Sequence, residues 1–459
     1  MKSCRSTQES GTWTLPWSCS PLIAPVVARH APFARFLRCE TALVRHDMAG
    51  LRALNLAEIH ASDSAGVDLQ AARIGCMTPG YDLAACRREI PVLQRLIPLA
   101  NCSHSPLTTA TRRALDNYRD SLDRDVMDWD AWMEQVDGAK CEFAALINAD
   151  PDEIAMASSV TAAVASLASA LPLRAGRRRV VLSGAEFPTV GHVWLALEPG
   201  GVAVDWVPMV EGMPPALEEF QKAVDERTLL VGAAHAYYGN GAMQDVAAIA
   251  RLAHRQGALI LVDAYQTLGI QPVDVRAMDI DFLVSGCHKF LMGIPGIAFL
   301  YVRRQLIPRM YPTLTGWFGR ADIFAFDPAL LDWAPDARRF EMATPPVAAA
   351  YAARAGMALI RQTGVAAIQE WVLELSRLLS TECQARGLAI AGPPDPGARN
   401  GMTAVTCPGD AGKVEERLRD LGVLATARGE VIRLAPHYFT TPRDLTLALD
   451  ALAPLLGAP

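Results

Sequence analysis

The chain has 459 residues, 51% of them hydrophobic and 20% charged, and a formal net charge of -6. That is enough apolar material for a substantial core and too little charge density for a disordered protein, and the negative balance argues against a general nucleic-acid binder. No run approaches the roughly 18–20 apolar residues that a membrane helix needs, so no membrane partner is expected.

The ten cysteines are scattered and form no Cys-x-x-Cys pair. Neither a zinc ribbon nor a disulfide framework is expected, no metal site is expected, and reduced thiols in the cytoplasm are the natural reading. Residues 15–28 (LPWSCSPLIAPVVA) follow Lys2 and Arg5 as the apolar stretch of a signal peptide would, but three prolines interrupt them. Residues 1–76 show no strand alternation and at most one helical stretch, near 40–60. They read as a poorly ordered N-terminal extension, with a packed extra helix as the alternative, and the functional protein is expected to begin near Met77.

From Met77 a turn and a short amphipathic helix lead into an apolar run that ends at Asn101. Residues 77–100 are expected to pack on the C-terminal domain. Between 150 and 305 the strand candidates are Val180–Ser183, Val202–Val207, Leu229–Ala234, Leu259–Asp263, Asp281–Ser285 and Ile297–Val302. Crossover helices fit Pro214–Val224 and Met243–Gln256. Near-continuous apolar strands alternating with helices predict an α/β fold with a mostly parallel sheet covered by helices on both faces. The run Arg177-Arg178-Arg179 reads as a solvated strand entry. After about 345 the pattern changes to two long helices, Val347–Thr363 and Val365–Arg386, and a Gly/Pro-rich break. Short strands at Met402–Thr406 and Val431–Ala435 then flank a helix at Lys413–Leu421. The expected division is a large domain over 77–345 and a small α+β domain over 346–459.

The most informative stretch runs from Leu259 to Arg304. Asp263 ends one buried strand, and Lys289 follows the end of another, 26 residues later. Parallel strands assemble ligand sites at their carboxyl ends. A carboxylate there must meet a cation or lose its charge. A pyridoxal phosphate pyridinium is such a cation, and a nearby lysine amine can hold that cofactor as a Schiff base. On spacing alone, a turn-forming aspartate and an ordinary loop lysine fit as well.

Six segments add to this: SSVTAA (158–163), EFPT (186–189), VDAYQ (262–266), HKFLMGIPG (288–296), GWFG (316–319) and RRFEMATPPV (338–347). In that order they resemble the class V, fold type I, pyridoxal phosphate family, and within it the kynureninase-like and selenocysteine lyase-like members most. The resemblance covers roughly Leu99 to Leu456. It implies pyridoxal phosphate as cofactor, with Lys289 and Asp263 catalytic and a homodimeric enzyme acting on an α-amino acid.

The resemblance also implies roles for the other residues. Val160 and Thr161 open a helix where backbone and hydroxyl donors meet the cofactor phosphate; Ser158, Ser159 and Thr161 also read simply as helix caps. Phe187 matches the aromatic residue that stacks on the pyridine ring, and otherwise reads as a core phenylalanine. His288 is implied as a phosphate donor or a plain loop histidine, and Trp317 as a phosphate contact, from the same or the partner subunit. Arg433 matches the arginine that grips the substrate α-carboxylate with its planar fork, against a surface arginine at a strand start. Departures are implied at Arg320 and Thr344, where kynureninases carry the histidine and asparagine that read the aryl ketone. Gln266 replaces a histidine at the cofactor, and Val190 an aspartate. A different substrate is therefore expected.

The stretch LGVLATARGEVIR lacks the loop cysteine that a cysteine desulfurase needs. The expected activity is that of a lyase, hydrolase or transaminase, with Lys289 as the base that removes the α-proton. The competing expectation is an inactive protein of the same fold with a binding or regulatory role. A nucleotide-binding enzyme lacks support, since neither Gly-x-Gly-x-x-Gly after the first strand nor a Gly-Lys-Ser/Thr loop occurs.

Overall fold

Strands that are apolar at every position, rather than at alternate ones, need cover on both faces, and the central sheet is built that way. The computed structural model describes residues 77–172 and 176–457. The expectations for residues 1–76 lie outside the described residues.

The chain opens with α1 (Leu83–Arg88), β1 (Ile97–Pro98), α2 (Thr109–Asp125) and α3 (Trp129–Ile147). Next come β2 (Ile154–Ala157), α4 (Val160–Ala170), β3 (Arg179–Ser183), α5 (Pro188–Leu195), β4 (Ala203–Val207) and α6 (Leu217–Ala223). These are followed by β5 (Thr228–Ala234), α7 (Val246–Arg255), β6 (Leu259–Asp263), β7 (Phe282–Gly286) and β8 (Ala298–Val302). The C-terminal part holds α8 (Val347–Thr363), α9 (Val365–Ala385), β9 (Ile390–Ala391), β10 (Thr403–Thr406) and α10 (Ala411–Asp420). It ends with β11 (Val423–Leu424), β12 (Thr426–Arg428), β13 (Val431–Leu434) and α11 (Pro442–Leu455).

Seven strands form the central sheet in the order β2-β8-β7-β6-β5-β3-β4. The pairs from β4 through β7 are parallel, whereas β8 runs antiparallel to both β7 and β2. The mostly parallel α/β sheet expected from the sequence is therefore the one observed. Side chains of β6 alternate between two cores. Ile260 and Val262 join α3, α7 and α8 on one face, and Leu261 joins α4 and α5 on the other. Side-chain caps define where helices start: Asp245 Oδ1 accepts the Ala248 amide at 2.9 Å to open α7, and Thr108 Oγ1 accepts the Thr111 amide at 2.9 Å to open α2.

A four-stranded antiparallel sheet, β12-β13-β10-β9, packs with α9 and α11 around its own apolar cluster. Met77, Tyr81, Leu83, Ile97 and Leu99 join that cluster, and β1 pairs with β11. The arginine triplet departs from its sequence reading. Arg177 Nη1 donates to the carbonyls of Gln256 and Gly257 at 2.8 and 2.6 Å, and Arg179 pairs with Asp205 and Asp225. Two of the three arginines thus bind strand and loop ends rather than standing solvated. Among the described residues no helix is long and apolar enough to cross a membrane.

Candidate active site

Adjacent parallel strands bring Asp263 and the lysine loop together. Asp263 pairs with Val284, so the carboxyl ends of β6 and β7 lie side by side. The loop after β7 is closed by a bond from the Gly293 amide to the Cys287 carbonyl, 2.8 Å, and one from the Met292 amide to the Lys289 carbonyl, 3.1 Å. Met292 takes φ +56°, a conformation that costs a bulky residue roughly 1–3 kcal/mol. Helix α8 presses on this turn at Gly356, where a Cβ would lie 2.5 Å from the Leu291 carbonyl oxygen. Gly286 makes similar room for Tyr265, whose hydroxyl oxygen would sit 2.2 Å from a Cβ at that position. That hydroxyl bonds His288 Nδ1 at 2.7 Å.

The loop closes one side of a cavity of about 340 Å³. Lys289, Asp263, His288, Phe187, Gln266 and Arg433 all line it, and so do Val160 and Thr161. Lys289 Nζ lies 4.1 Å from the centroid of the Tyr265 ring and 5.7 Å from that of Phe187. Burial lowers the Lys289 amine to about 8, with Asp263 pulling in the opposite direction. Asp263 is buried and its Oδ1 accepts the Tyr265 amide at 2.8 Å. Burial raises its carboxyl above the usual range, and the Tyr265 amide and Lys289 oppose that. Burial also holds His288 neutral, at about 4.

Two further walls complete the cavity. Ser159 caps α4, its Oγ accepting the Ala162 amide at 3.1 Å, which leaves the Val160 and Thr161 amides uncapped by that side chain. On the opposite side Arg433, 1% exposed, donates from Nη1 to the Tyr238 carbonyl at 2.7 Å. Its Nη2 donates to Ser103 Oγ and Thr426 Oγ1, both at 2.8 Å. Gln266 Nε2 donates to the Cys102 carbonyl at 3.0 Å.

Three predicted residues lie outside the cavity lining of this chain. Trp317 packs against Trp129, Phe318 and Phe326. Arg320 Nε pairs with Asp332 at 2.7 Å, and Thr344 is exposed. The cavity also contains residues that the sequence did not single out: Tyr238, Tyr265, Cys102, Ser103 and Arg428. Tyr265 and Tyr238 follow the buried strands β6 and β5, and that strand-end position was a usable signal.

Behind this wall Glu186 is buried, and neither carboxylate oxygen has a hydrogen-bond partner. Burial, and then the charge of Asp263, push its carboxyl far above the ordinary range. The folded protein therefore holds a proton that the unfolded chain releases. Stability falls as pH rises from the usual glutamate range towards the raised value, at roughly 1.4 kcal/mol per pH unit for one such group. Glu186→Gln is expected to remove that slope, so its stability relative to wild type climbs with pH in denaturant titrations from pH 5 to 8. A gap that stays flat with pH would show that Glu186 is ionised in the fold.

A family model described as Aminotransferase class-V matches residues 105–430. An uncharacterized aminotransferase of Bacillus subtilis is 37% identical over 367 residues, covering 80% of this chain and 96% of that protein. A kynureninase of Deinococcus radiodurans is 30% identical over 340 residues, covering 73% of this chain and 77% of that protein. An apo cysteine desulfurase from Thermococcus onnurineus superimposes with a TM-score of 0.74 at 21% identity, over 83% of this chain and 99% of that one. At that identity the likeness is one of fold.

Proposed function

Because the chain belongs to the class-V aminotransferase family, we propose that it is an enzyme acting on an α-amino acid, with Lys289 and Asp263 as its catalytic residues. The cofactor is pyridoxal phosphate. When bound, that group supplies an electron sink for charge developing at the substrate α-carbon. The observation that carries the proposal is one cavity that holds a lysine amine lowered to about 8, a buried aspartate and a buried arginine.

The chain's residues fit the cofactor. The uncapped amides of Val160 and Thr161, with the dipole of α4, suit a phosphate dianion, and neutral His288 can donate there without a charge of its own. Phe187 offers a ring face, and Gln266 fixes the cavity floor beside Asp263 through its bond to the Cys102 carbonyl. Asp263 would hold the cofactor's ring nitrogen as a cation, because a buried carboxylate left without a paired positive charge is costly. Lys289 Nζ, easily deprotonated at about 8, anchors the cofactor and then takes the α-proton. Arg433 orients the α-carboxylate with its guanidinium, which lines the cavity and is held in place by the Tyr238 carbonyl, Ser103 and Thr426.

The reaction that follows proton removal is β-bond cleavage, as in a lyase or hydrolase of kynureninase type, or transamination. Retention of Lys289 and Asp263 in one cavity favours an enzyme over an inactive binding protein, since a scaffold needs neither. Residues 77–345 are read as the cofactor-binding domain, with 77–100 packing on the smaller domain, and 346–459 as that smaller domain. Six unpaired cysteines among the described residues support a reducing, cytoplasmic setting.

The enzyme is further proposed to be a homodimer. Exposed Phe324 and Phe326, at 53% and 72%, extend the aromatic group around Trp317, the kind of surface that a second copy covers. Trp317, Arg320 and Thr344 would then serve the cavity of the partner. Sedimentation of an active monomer would remove them from the site.

The test of function is spectral. The protein with its cofactor is expected to be yellow, and single amino acids are added while the visible band is followed, with analysis for keto acid, ammonia and cleaved side chain. Conversion of an amino acid supports the enzyme, and a yellow protein that no amino acid alters would favour the binding role.

A further inference from the structure

Arg433 is not the only guanidinium in the cavity wall. Arg428, at the end of β12, lines the same cavity. Thr426 pairs with Arg433 across β12 and β13, and Arg428 pairs with Val431. Residues two apart on a strand share a face, so Arg428 projects from the sheet face that carries Thr426 and Arg433. This is the wall that faces the substrate carboxylate, built from the small sheet rather than from α4.

Arg428 makes no hydrogen bond or ion pair among the described residues. A carboxylate that acts on it, Glu415, is already engaged: Oε1 accepts Arg419 Nη2 at 3.0 Å and Oε2 accepts the Ala427 amide at 2.8 Å. Burial and the neighbouring charge of Arg433 both work against the Arg428 cation. Two guanidiniums on one face of a half-closed cavity repel each other until anions enter between them. Arg433 is buried, whereas Arg428 lines the same cavity with an exposed side chain whose guanidinium is only partly desolvated. With the α-carboxylate placed on Arg433, Arg428 is the second guanidinium on that face and has no hydrogen-bond or ion-pair partner among the described residues.

Resting on the function proposed above, we infer that Arg428 is a specificity-determining residue and that the substrate is an α-amino acid whose side chain ends in an anion. A guanidinium supplies paired N–H donors for such a group, and an unpaired one loses no protein contact when it does so.

The experiment titrates the holoenzyme with aspartate, glutamate, asparagine and glutamine and follows the visible band of the bound cofactor. Wild type is expected to bind an acidic amino acid roughly ten- to hundredfold more tightly than its amide, the range of one charge-assisted contact. Arg428→Gln is expected to erase that preference while leaving affinity for the amides and for pyridoxal phosphate unchanged. Arg433→Lys is expected to weaken acids and amides alike. The inference is overturned if Arg428→Gln weakens both classes equally, which would make it an α-carboxylate ligand. Loss of cofactor affinity in Arg428→Gln would make it a phosphate ligand, and an unchanged preference would make it a solvated arginine. Wild type that binds the amides as tightly as the acids sinks this inference and leaves the enzyme reading standing. If none of the four amino acids moves the band, the inference falls, and the wider amino-acid screen decides the enzyme reading separately.

Discussion

Lys289→Ala is expected to abolish turnover while leaving a folded protein. The side chain lies over the Tyr265 ring in a loop whose backbone bonds and whose contact with Gly356 do not use it. Its removal leaves those restraints in place and takes away the amine that holds the cofactor and receives the α-proton. Loss of the general base alone costs on the order of 10²–10⁴-fold, and loss of the covalent anchor adds to it. The variant would also lack the yellow band when mixed with pyridoxal phosphate and freed of excess. Turnover within about tenfold of wild type, measured on any accepted amino acid, contradicts the role.

Asp263→Asn has the second-largest expected effect, and it tests a different property. The amide keeps the shape of the carboxyl and its bond from the Tyr265 amide, 2.8 Å in wild type, but discards the charge. A buried cation left without its partner costs roughly 3–5 kcal/mol, equivalent to at least about a hundredfold in rate if the cost falls on the transition state. A second consequence carries a definite sign. Asp263 raises the Lys289 amine, so removing its charge lets burial depress that amine further below about 8. The acid limb of the pH–rate profile should therefore move to lower pH even as the maximum falls. Wild-type turnover with an unmoved limb would mean that Asp263 is a turn former and no more.

The positions of these two residues were legible because Asp263 ends one largely apolar strand and Lys289 follows another, and such strands announce a sheet with cover on both faces. Helix Val347–Thr363 was legible to its last residue, since Gly364 at φ +92° ends it sharply. The helices over 109–147 went unread. α2 is rich in Arg and Asp and buries only Thr111 and Ser121, and the apolar stripe of α3 (Val136, Phe143 and Ile147) becomes clear only in the core it shares with α8. β2 is four residues long, and β1, β9, β11 and β12 are shorter still, too short for alternation to register.

The same reason limits the site. Arg433 could be placed by resemblance, but Ser103 and Tyr238 hold it from 330 and 195 residues away. No local spacing encodes that meeting. Glu186 stood in the EFPT segment, yet its burial beside Asp263 comes from the register of the sheet and not from its neighbours. A buried carboxyl without a hydrogen-bond partner was thus hidden in a motif already quoted.

The central claim is that Lys289 carries the cofactor, and reductive trapping tests it most directly. The yellow protein is reduced with borohydride, digested, and its peptides mapped by mass spectrometry. A pyridoxyl group on Lys289, in the peptide that contains His288 and Phe290, is the predicted result. A label on Lys140, Lys222 or Lys413, or none on any lysine, would contradict it.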